Sequence, residues 1–357
     1  MSAAADSTPA APRRGLPPLA GDGAILVTGG TGTTGRLLLS WLLDEAQATR
    51  VIAFSRDEQK HYDLLQDPNF QQPALYSMVG DIRDPRRLRE AMEGVSLVLH
   101  TAAMKHVPIA EAHPSEAIRT NVEGTENIIR AARDAGVARV IAHSTDKAVE
   151  PGCVYGATKL AMEKLLVAAD FDSGADGPRF DILRHGNLIG SRGSVIPMFL
   201  EQKKSGRLKV TDPEMTRFWI GHDSLISAVH QVLIDGRGGE IFVPKSPSAR
   251  LGTLARAIAP EAVIEVIGVR PGEKMHESLT SREESNRIRQ FESHLVITPP
   301  STGHQRRQDG SPVGPEFRLQ SHHGPLLDLP AMKALLKSEN LTSGHQTARF
   351  DIQSTNL

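Results

Sequence analysis

The chain has 357 residues, a formal net charge of -1 and a single cysteine, Cys153. So even a balance gives no global field for nucleic acid or a membrane surface, and one cysteine excludes an internal disulfide and a cysteine-based metal site. The 14 histidines are scattered with no HExxH-like spacing, and no run approaches the roughly 20 apolar residues of a membrane helix, so a cytoplasmic, metal-free chain is expected.

Residues 1–21, rich in Ala, Pro, Ser and Arg, read as a disordered leader. Strand-like runs then alternate with helix-like segments. Strands are predicted at Ala24–Thr28, Arg50–Phe54, Leu75–Val79, Val95–His100, Arg139–His143 and Phe180–Leu183. Between them, helices are predicted at Arg36–Asp44, Glu58–Leu65, Arg86–Met92, Ser115–Ala135 and Tyr155–Ala169. Such alternation argues for an α/β fold with a doubly wound parallel sheet. Beyond Asn187, Gly and Pro punctuation breaks the pattern, which predicts a smaller lobe over 186–300 closing on the strand ends. The tail, 301–357, is polar, and only Leu329–Leu336 looks helical.

The first strand runs into Gly29, Gly32 and Gly35, with Thr31, Thr33 and Thr34 between them, and then into a helix. A strand, a tight turn and a helix N-terminus form the setting in which backbone N–H groups receive a dinucleotide pyrophosphate. The spacing is GxxGxxG rather than GxGxxG, and a plain glycine turn is the bland alternative. Residues 22–185 are therefore read as a dinucleotide-binding Rossmann domain. The second strand ends in Ser55-Arg56, with Asp57 and Lys60 close behind. A guanidinium grips a 2′-phosphate with a bidentate fork, which favours NADP; Arg56 as a surface residue, with Asp57 serving NAD, is the alternative. Asp81-Ile82 is placed to meet the adenine, and Ala102-Ala103 the nicotinamide ribose.

Ser144-Thr145-Asp146-Lys147 follows the fifth strand, where ligands bind in open α/β sheets. Tyr155 and Lys159 come next, at i and i+4 on one helix face. A lysine ammonium beside a phenol favours the phenolate, so this tyrosine is expected to move a proton near neutral pH. Asp146 and Lys147 are charged neighbours at the same strand end. A surface ion pair is the bland alternative for these two, and inert packing is the reading for Cys153.

A Thr ahead of YxxxK, with a Gly-rich first turn, is the pattern of short-chain dehydrogenases/reductases. The longer series is more specific. It comprises Ser55-Arg56-Asp57-Glu58, Ala102 to Glu111, Ser144 to Ala148, Tyr155-Gly156-Ala157-Thr158-Lys159, Gly186-Asn187, Gly190 to Ser194, Met215 to Trp219 and Arg270-Pro271-Gly272-Glu273-Lys274. From about Ala24 to Pro300 it resembles the extended-branch, inverting UDP-N-acetylglucosamine 4,6-dehydratases. Membrane-anchored retaining relatives tend to carry Met where this chain has Tyr155. The resemblance implies a lyase that oxidises C4, removes the C5 proton, expels the C6 hydroxyl and returns hydride to C6, regenerating its NADP; it also implies a second acid–base couple, with Lys147 as a base of lowered pKa among cationic groups and Asp146 as a protonated acid.

It also implies a UDP-sugar in the lobe, held by Lys105, His106, Asn187, Ser191, Arg192, Arg217, Arg270 and Glu273. A homo-oligomer is expected, with neither nucleic acid nor membrane as partner. The chain departs from the family at Gly152-Cys153, where Ile-Asn is common, at His185, where Tyr is usual, and in the His-rich tail. Two other readings stand beside this one. A nucleotide-sugar 4-epimerase would need no C5 base, and a non-catalytic NADP-sensing regulator could dispense with YxxxK.

Overall fold

The computed structural model describes residues 23–174, 176–300 and 307–341; the predicted leader, 1–21, lies outside them. The first half alternates as read. Strands β1 (Ala24–Thr28), β2 (Val51–Ser55), β3 (Leu75–Val79), β4 (Val95–His100), β5 (Arg139–Thr145) and β6 (Arg179–His185) are separated by helices. The helices are α1 (Thr33–Ser40), α2 (Glu58–Gln66), α3 (Pro85–Ala91), α4 (Val107–Ala112), α5 (Pro114–Ile118), α6 (Gly124–Ala135) and α7 (Val154–Ser173). The single helix predicted over Ser115–Ala135 is instead α5 and α6 joined through a wider turn, Arg119–Glu123. Gly136, left-handed at φ 67°, ends it. A similar wide turn, Trp41–Glu45, follows α1.

The second half contains β7 (Asn187–Leu188), α8 (Val195–Lys203), β8 (Arg207–Val210), β9 (Thr216–Ile220), α9 (His222–Asp235), β10 (Ile241–Pro244), β11 (Ser248–Arg250), α10 (Leu251–Ile258) and β12 (Val263–Val266). After these come β13 (Ile288–Gln290), β14 (His294–Ile297), β15 (Ser311–Pro312) and α11 (Leu329–Ser338).

The main sheet has ten strands in the order β15-β13-β14-β10-β6-β5-β4-β1-β2-β3. From β3 to β10 all neighbours are parallel, and β14, β13 and β15 join antiparallel. Alternate residues of β1 feed different cores: Ala24 and Leu26 pack on one face, Ile25 and Val27 on the other. Helices cover both faces, so the strand is apolar throughout rather than alternating. The strand order reverses between β1 and β4, which places a ligand crevice at their carboxyl ends.

A separate core of Phe199, Val210, Trp219, Leu254 and Met332, among others, organises the lobe beside that crevice. Its sheets are β11-β9-β7 and β12-β8. Among the described residues no helix is long and apolar enough to cross a membrane.

Candidate active site

The glycine turn is built for close approach. Gly29 has φ +70°, and a Cβ there would lie 2.8 Å from the Ala102 nitrogen; one at Gly35 would lie 2.2 Å from the Gly29 carbonyl oxygen. Gly32 caps α1 without a side-chain acceptor, so the first-turn N–H groups of an eight-residue helix are left for another anion. A Cβ would fill this cradle, and a dinucleotide pyrophosphate fits it.

At the far end of the turn, Thr31 Oγ1 lies 2.7 Å from Ser55 Oγ, which lies 2.9 Å from His61 Nε2. The Asp57 carboxylate is already engaged, accepting from the Lys60 backbone at 3.1 Å and pairing with the Lys60 ammonium at 2.7 Å. Arg56 is 58% exposed, and its Nη1 stands 3.9 Å from Asp81 Oδ2. Asp81 also receives two hydrogen bonds from the Arg83 side chain, and Ile82 is buried behind it.

A cleft of about 360 Å³ lies between the carboxyl ends of β5 and β6 and the lobe. It brings together Ala103, Lys105, His106, Thr145, Lys147, Tyr155, Lys159, Asn187, Ser191, Arg217, Arg270 and Glu273. Thr145 closes β5, and its hydroxyl accepts from the Lys147 backbone at 3.3 Å, starting the tight turn Asp146–Ala148. Helix α7 packs directly on that turn: a Cβ at Gly156 would meet the Lys147 carbonyl oxygen at 2.1 Å. This contact sets Tyr155 and Lys159, on the first turns of α7, beside Thr145 and Lys147.

The electrostatics revise two expectations. Burial pushes the Tyr155 phenol up to about 12, against the pull of Lys147 and a hydrogen bond with Thr145. Lys159 does not hold it near neutrality. Its ammonium donates to the His143 carbonyl oxygen at 2.5 Å and approaches Met162 Sδ at 3.0 Å, and burial, partly offset by Glu163, lowers it to about 8.

The second correction concerns Lys147, which was expected among cations with a lowered pKa. Its Nζ lies 3.1 Å from Asp146 Oδ1 and 3.0 Å from Glu277 Oε1. Burial alone would lower its pKa, but these carboxylates outweigh burial and Arg217 together, and Lys147 is held above its ordinary value. Asp146 is fully buried and accepts from the Thr145 hydroxyl at 2.9 Å and from Lys147.

The three arginines do not act alike. Arg270 is exposed at the cleft mouth, 4.0 Å from Glu273. Arg217 is 7% exposed, and its Nη1 is already bonded to the Thr216 and Met275 carbonyls at 2.7 and 3.2 Å. Arg192 is absent from the cleft wall. Its loop turns at Gly190 and Gly193, both at φ +71°, and its N–H donates to Thr33 Oγ1 at 3.0 Å, so its charge acts on Arg36 and Asp57 instead.

Sequence reading missed Glu277, 2% exposed in the cleft wall, and His143. Glu277 stands just past the quoted Arg270-Pro271-Gly272-Glu273-Lys274 run, in Met275-His276-Glu277. A second acidic residue there was the available signal.

The polysaccharide biosynthesis protein family model matches residues 25–299. The inverting UDP-N-acetylglucosamine 4,6-dehydratase of Campylobacter jejuni is 41% identical over 331 residues, 90% of this chain and 98% of that one. Among solved structures, Pen from Bacillus thuringiensis superposes with a TM-score of 0.83 at 34% identity, covering 90% of this chain and 99% of that one. DesIV from Streptomyces venezuelae, a dTDP-glucose 4,6-dehydratase solved with NAD bound, gives 0.63 at 27% identity, covering 71% and 86%. The chain belongs to the polysaccharide biosynthesis protein family, in the branch of the inverting UDP-N-acetylglucosamine 4,6-dehydratases on an extended short-chain dehydrogenase/reductase fold.

Proposed function

We propose that the chain is a UDP-N-acetylglucosamine 4,6-dehydratase (C5-inverting), a hydro-lyase with bound NADP. The observation that carries this reading is Lys147 lining one cleft with Tyr155 and Lys159, with the buried Asp146 3.1 Å behind it at the end of β5. A 4-epimerase needs only the tyrosine side of that cleft. A dehydratase needs a second proton-transfer couple for C5 and C6.

When bound, the nicotinamide supplies the acceptor for hydride from C4 and its return to C6. Tyr155 takes the C4 hydroxyl proton, with Lys147 and the Thr145 hydroxyl favouring its charged form, while Lys159 lines the same cleft. The neighbouring couple then moves one proton. At rest that proton sits on Lys147, so Lys147 donates to the departing C6 hydroxyl, which leaves as water, while the Asp146 carboxylate takes the C5 proton. Thr145 orients both Asp146 and Tyr155. Lys105, His106, Asn187, Ser191, Arg217, Arg270 and Glu273 form the UDP-sugar wall, with exposed Arg270 best placed for the diphosphate.

NADP is preferred over NAD in this reading because Asp57 is occupied by Lys60, while Ser55 and Arg56 stand at the end of β2. Gly29, Thr31, Gly32, Thr33, Thr34 and Gly35 hold the pyrophosphate, with Asp81 and Ile82 at the adenine and Ala102 and Ala103 at the nicotinamide ribose. Arg192, over the glycine turn, belongs with this group. Cytoplasmic work as a homo-oligomer is part of the proposal. Val263, Val266, Ile267 and Val269, in and just after β12, are exposed apolar side chains that a second copy would cover.

Purified protein is incubated with UDP-N-acetylglucosamine in deuterated water, without added reductant, and followed by NMR. A UDP-4-keto-6-deoxy sugar of L-arabino configuration, with deuterium at C5, is expected. A C4 epimer alone, or no turnover of any UDP-hexose by dinucleotide-loaded protein, overturns the reading.

A further inference from the structure

Glu277 is fixed from outside the main sheet. Its backbone N–H donates to Ser321 Oγ at 2.9 Å, and its carbonyl accepts from the Ser321 N–H at 2.8 Å. Ser321 Oγ in turn lies 2.6 Å from Thr216 Oγ1 on β9. The carboxylate projects from this mount to the Lys147 ammonium at 3.0 Å, with Arg217 Nε 4.0 Å from the same oxygen. Its other oxygen, Oε2, is buried and has no hydrogen-bond partner, as is Asp146 Oδ2.

A desolvated carboxylate half satisfied by one lysine is costly unless the lysine stays charged. The other charged or titratable groups that face Lys147 are Asp146 on its own turn, Tyr155 and Cys153 from α7 and its cap, and Arg217 from β9. Asp146 acts with Glu277 to raise the Lys147 pKa, and Arg217 opposes them.

We propose that Glu277 is a positioning residue that keeps Lys147 protonated and aimed into the cleft, so that a residue of the C-terminal half sets the protonation state of the lysine at the end of β5. The contact itself is independent of the dehydratase reading; only the step that Lys147 serves rests on it.

Two readouts on the full chain with bound dinucleotide keep the two apart. In the first, Lys147 is acylated competitively with acetic anhydride at fixed pH and quantified by mass spectrometry, with Lys105 as internal reference. Losing an opposite charge at this distance lowers a lysine pKa by about 1–3 units. In Glu277→Gln, Lys147 should therefore label at least about tenfold faster relative to Lys105. Glu277→Asp keeps the charge and should return most of the difference, and Glu277→Ala, which also removes the charge, replaces Glu277→Gln if that variant does not fold. Native labelling rates in both variants overturn the proposal.

In the second, single-turnover dehydration of UDP-N-acetylglucosamine is measured against pH. The alkaline limb should move down by about 1–3 units in Glu277→Gln, while formation of reduced nicotinamide keeps its profile. A lower rate with an unmoved limb identifies Glu277 as wall only and overturns the proposal. If the native chain turns over no UDP-sugar, the functional reading fails and the labelling result still decides this one.

Discussion

Two buried charge clusters lie on the neighbouring strands β5 and β6, and they are completed to different degrees. In one, Arg184 bonds Glu163 at 2.9 and 2.6 Å and Glu284 at 3.0 and 2.9 Å. Ser144 adds 2.6 Å to Glu163, and the Ser281 N–H adds 2.9 Å to Glu284. Every carboxylate oxygen in it has a partner. In the other, Lys147 joins Asp146 and Glu277, yet one oxygen of each acid has none. A satisfied network stiffens a fold, whereas buried polar atoms lacking a protein partner cost stability and are kept where a ligand supplies the partner. The first cluster fastens α7 to β6 and to the 281–284 segment; the second stays half satisfied beside the cleft that Lys147 and Glu277 line.

That contrast can be broken from either side. Glu163→Ala should have the largest effect, because it leaves Arg184 and Ser144 facing an emptied site. A loss of about 3–5 kcal/mol is expected in denaturant unfolding. A change under about 1 kcal/mol would mean that the network contributes little, as exposed pairs do.

Lys147→Ala should invert the pattern. It costs stability as well, because Asp146 and Glu277 lose their shared cation, but in the folded fraction dehydration drops by about 10²–10⁴-fold. Because Tyr155 and Lys159 are intact, absorbance of bound reduced nicotinamide should build up on mixing with substrate, and in Tyr155→Phe none should appear. Dehydration at the native rate would make Lys147 an ion-pair residue and nothing more.

The exposed dinucleotide corner lies outside both clusters and should give the smallest effect. Arg56→Ala should weaken NADP by about ten- to a hundredfold, the loss of one charged hydrogen bond at roughly 1.5–3 kcal/mol. NAD binding and thermal stability should stay put. Equal losses for both dinucleotides would remove Arg56 from the 2′-phosphate.

Local patterns were legible where one residue type does one job. Apolar runs marked the six strands β1 to β6, with β5 and β6 each running two residues past their predicted ends, since most of them are buried on both faces and need no partner to look like strands. Tyr155, Lys159 and Lys147 were found because a helix face and a strand end follow from spacing alone. The charge state of Lys147 was not, because Glu277 comes from far along the chain and only tertiary packing sets it at 3.0 Å. Arg192 was misplaced for a similar reason. A glycine-flanked arginine reads as a loop cation, and the turn angles that aim it over Thr33 do not show in composition. The break between α5 and α6 was also invisible, as a wide turn keeps the helical period nearly intact.

The return of the chain to its main sheet bears on how the protein is made. Strand β6 ends at His185, and its outer neighbour β10 begins only at Ile241, after much of the lobe. At ribosomal speeds of about 5–20 residues per second, several seconds pass before β10 is available. During them β6 presents an open edge of backbone donors and acceptors, a template for pairing with another nascent chain. Strands β14 and β13 then close further edges from beyond Arg287. The two halves therefore cannot be produced as independent pieces, and chaperone demand during synthesis should centre on the interval between Leu183 and Phe242, which finally pair in parallel register.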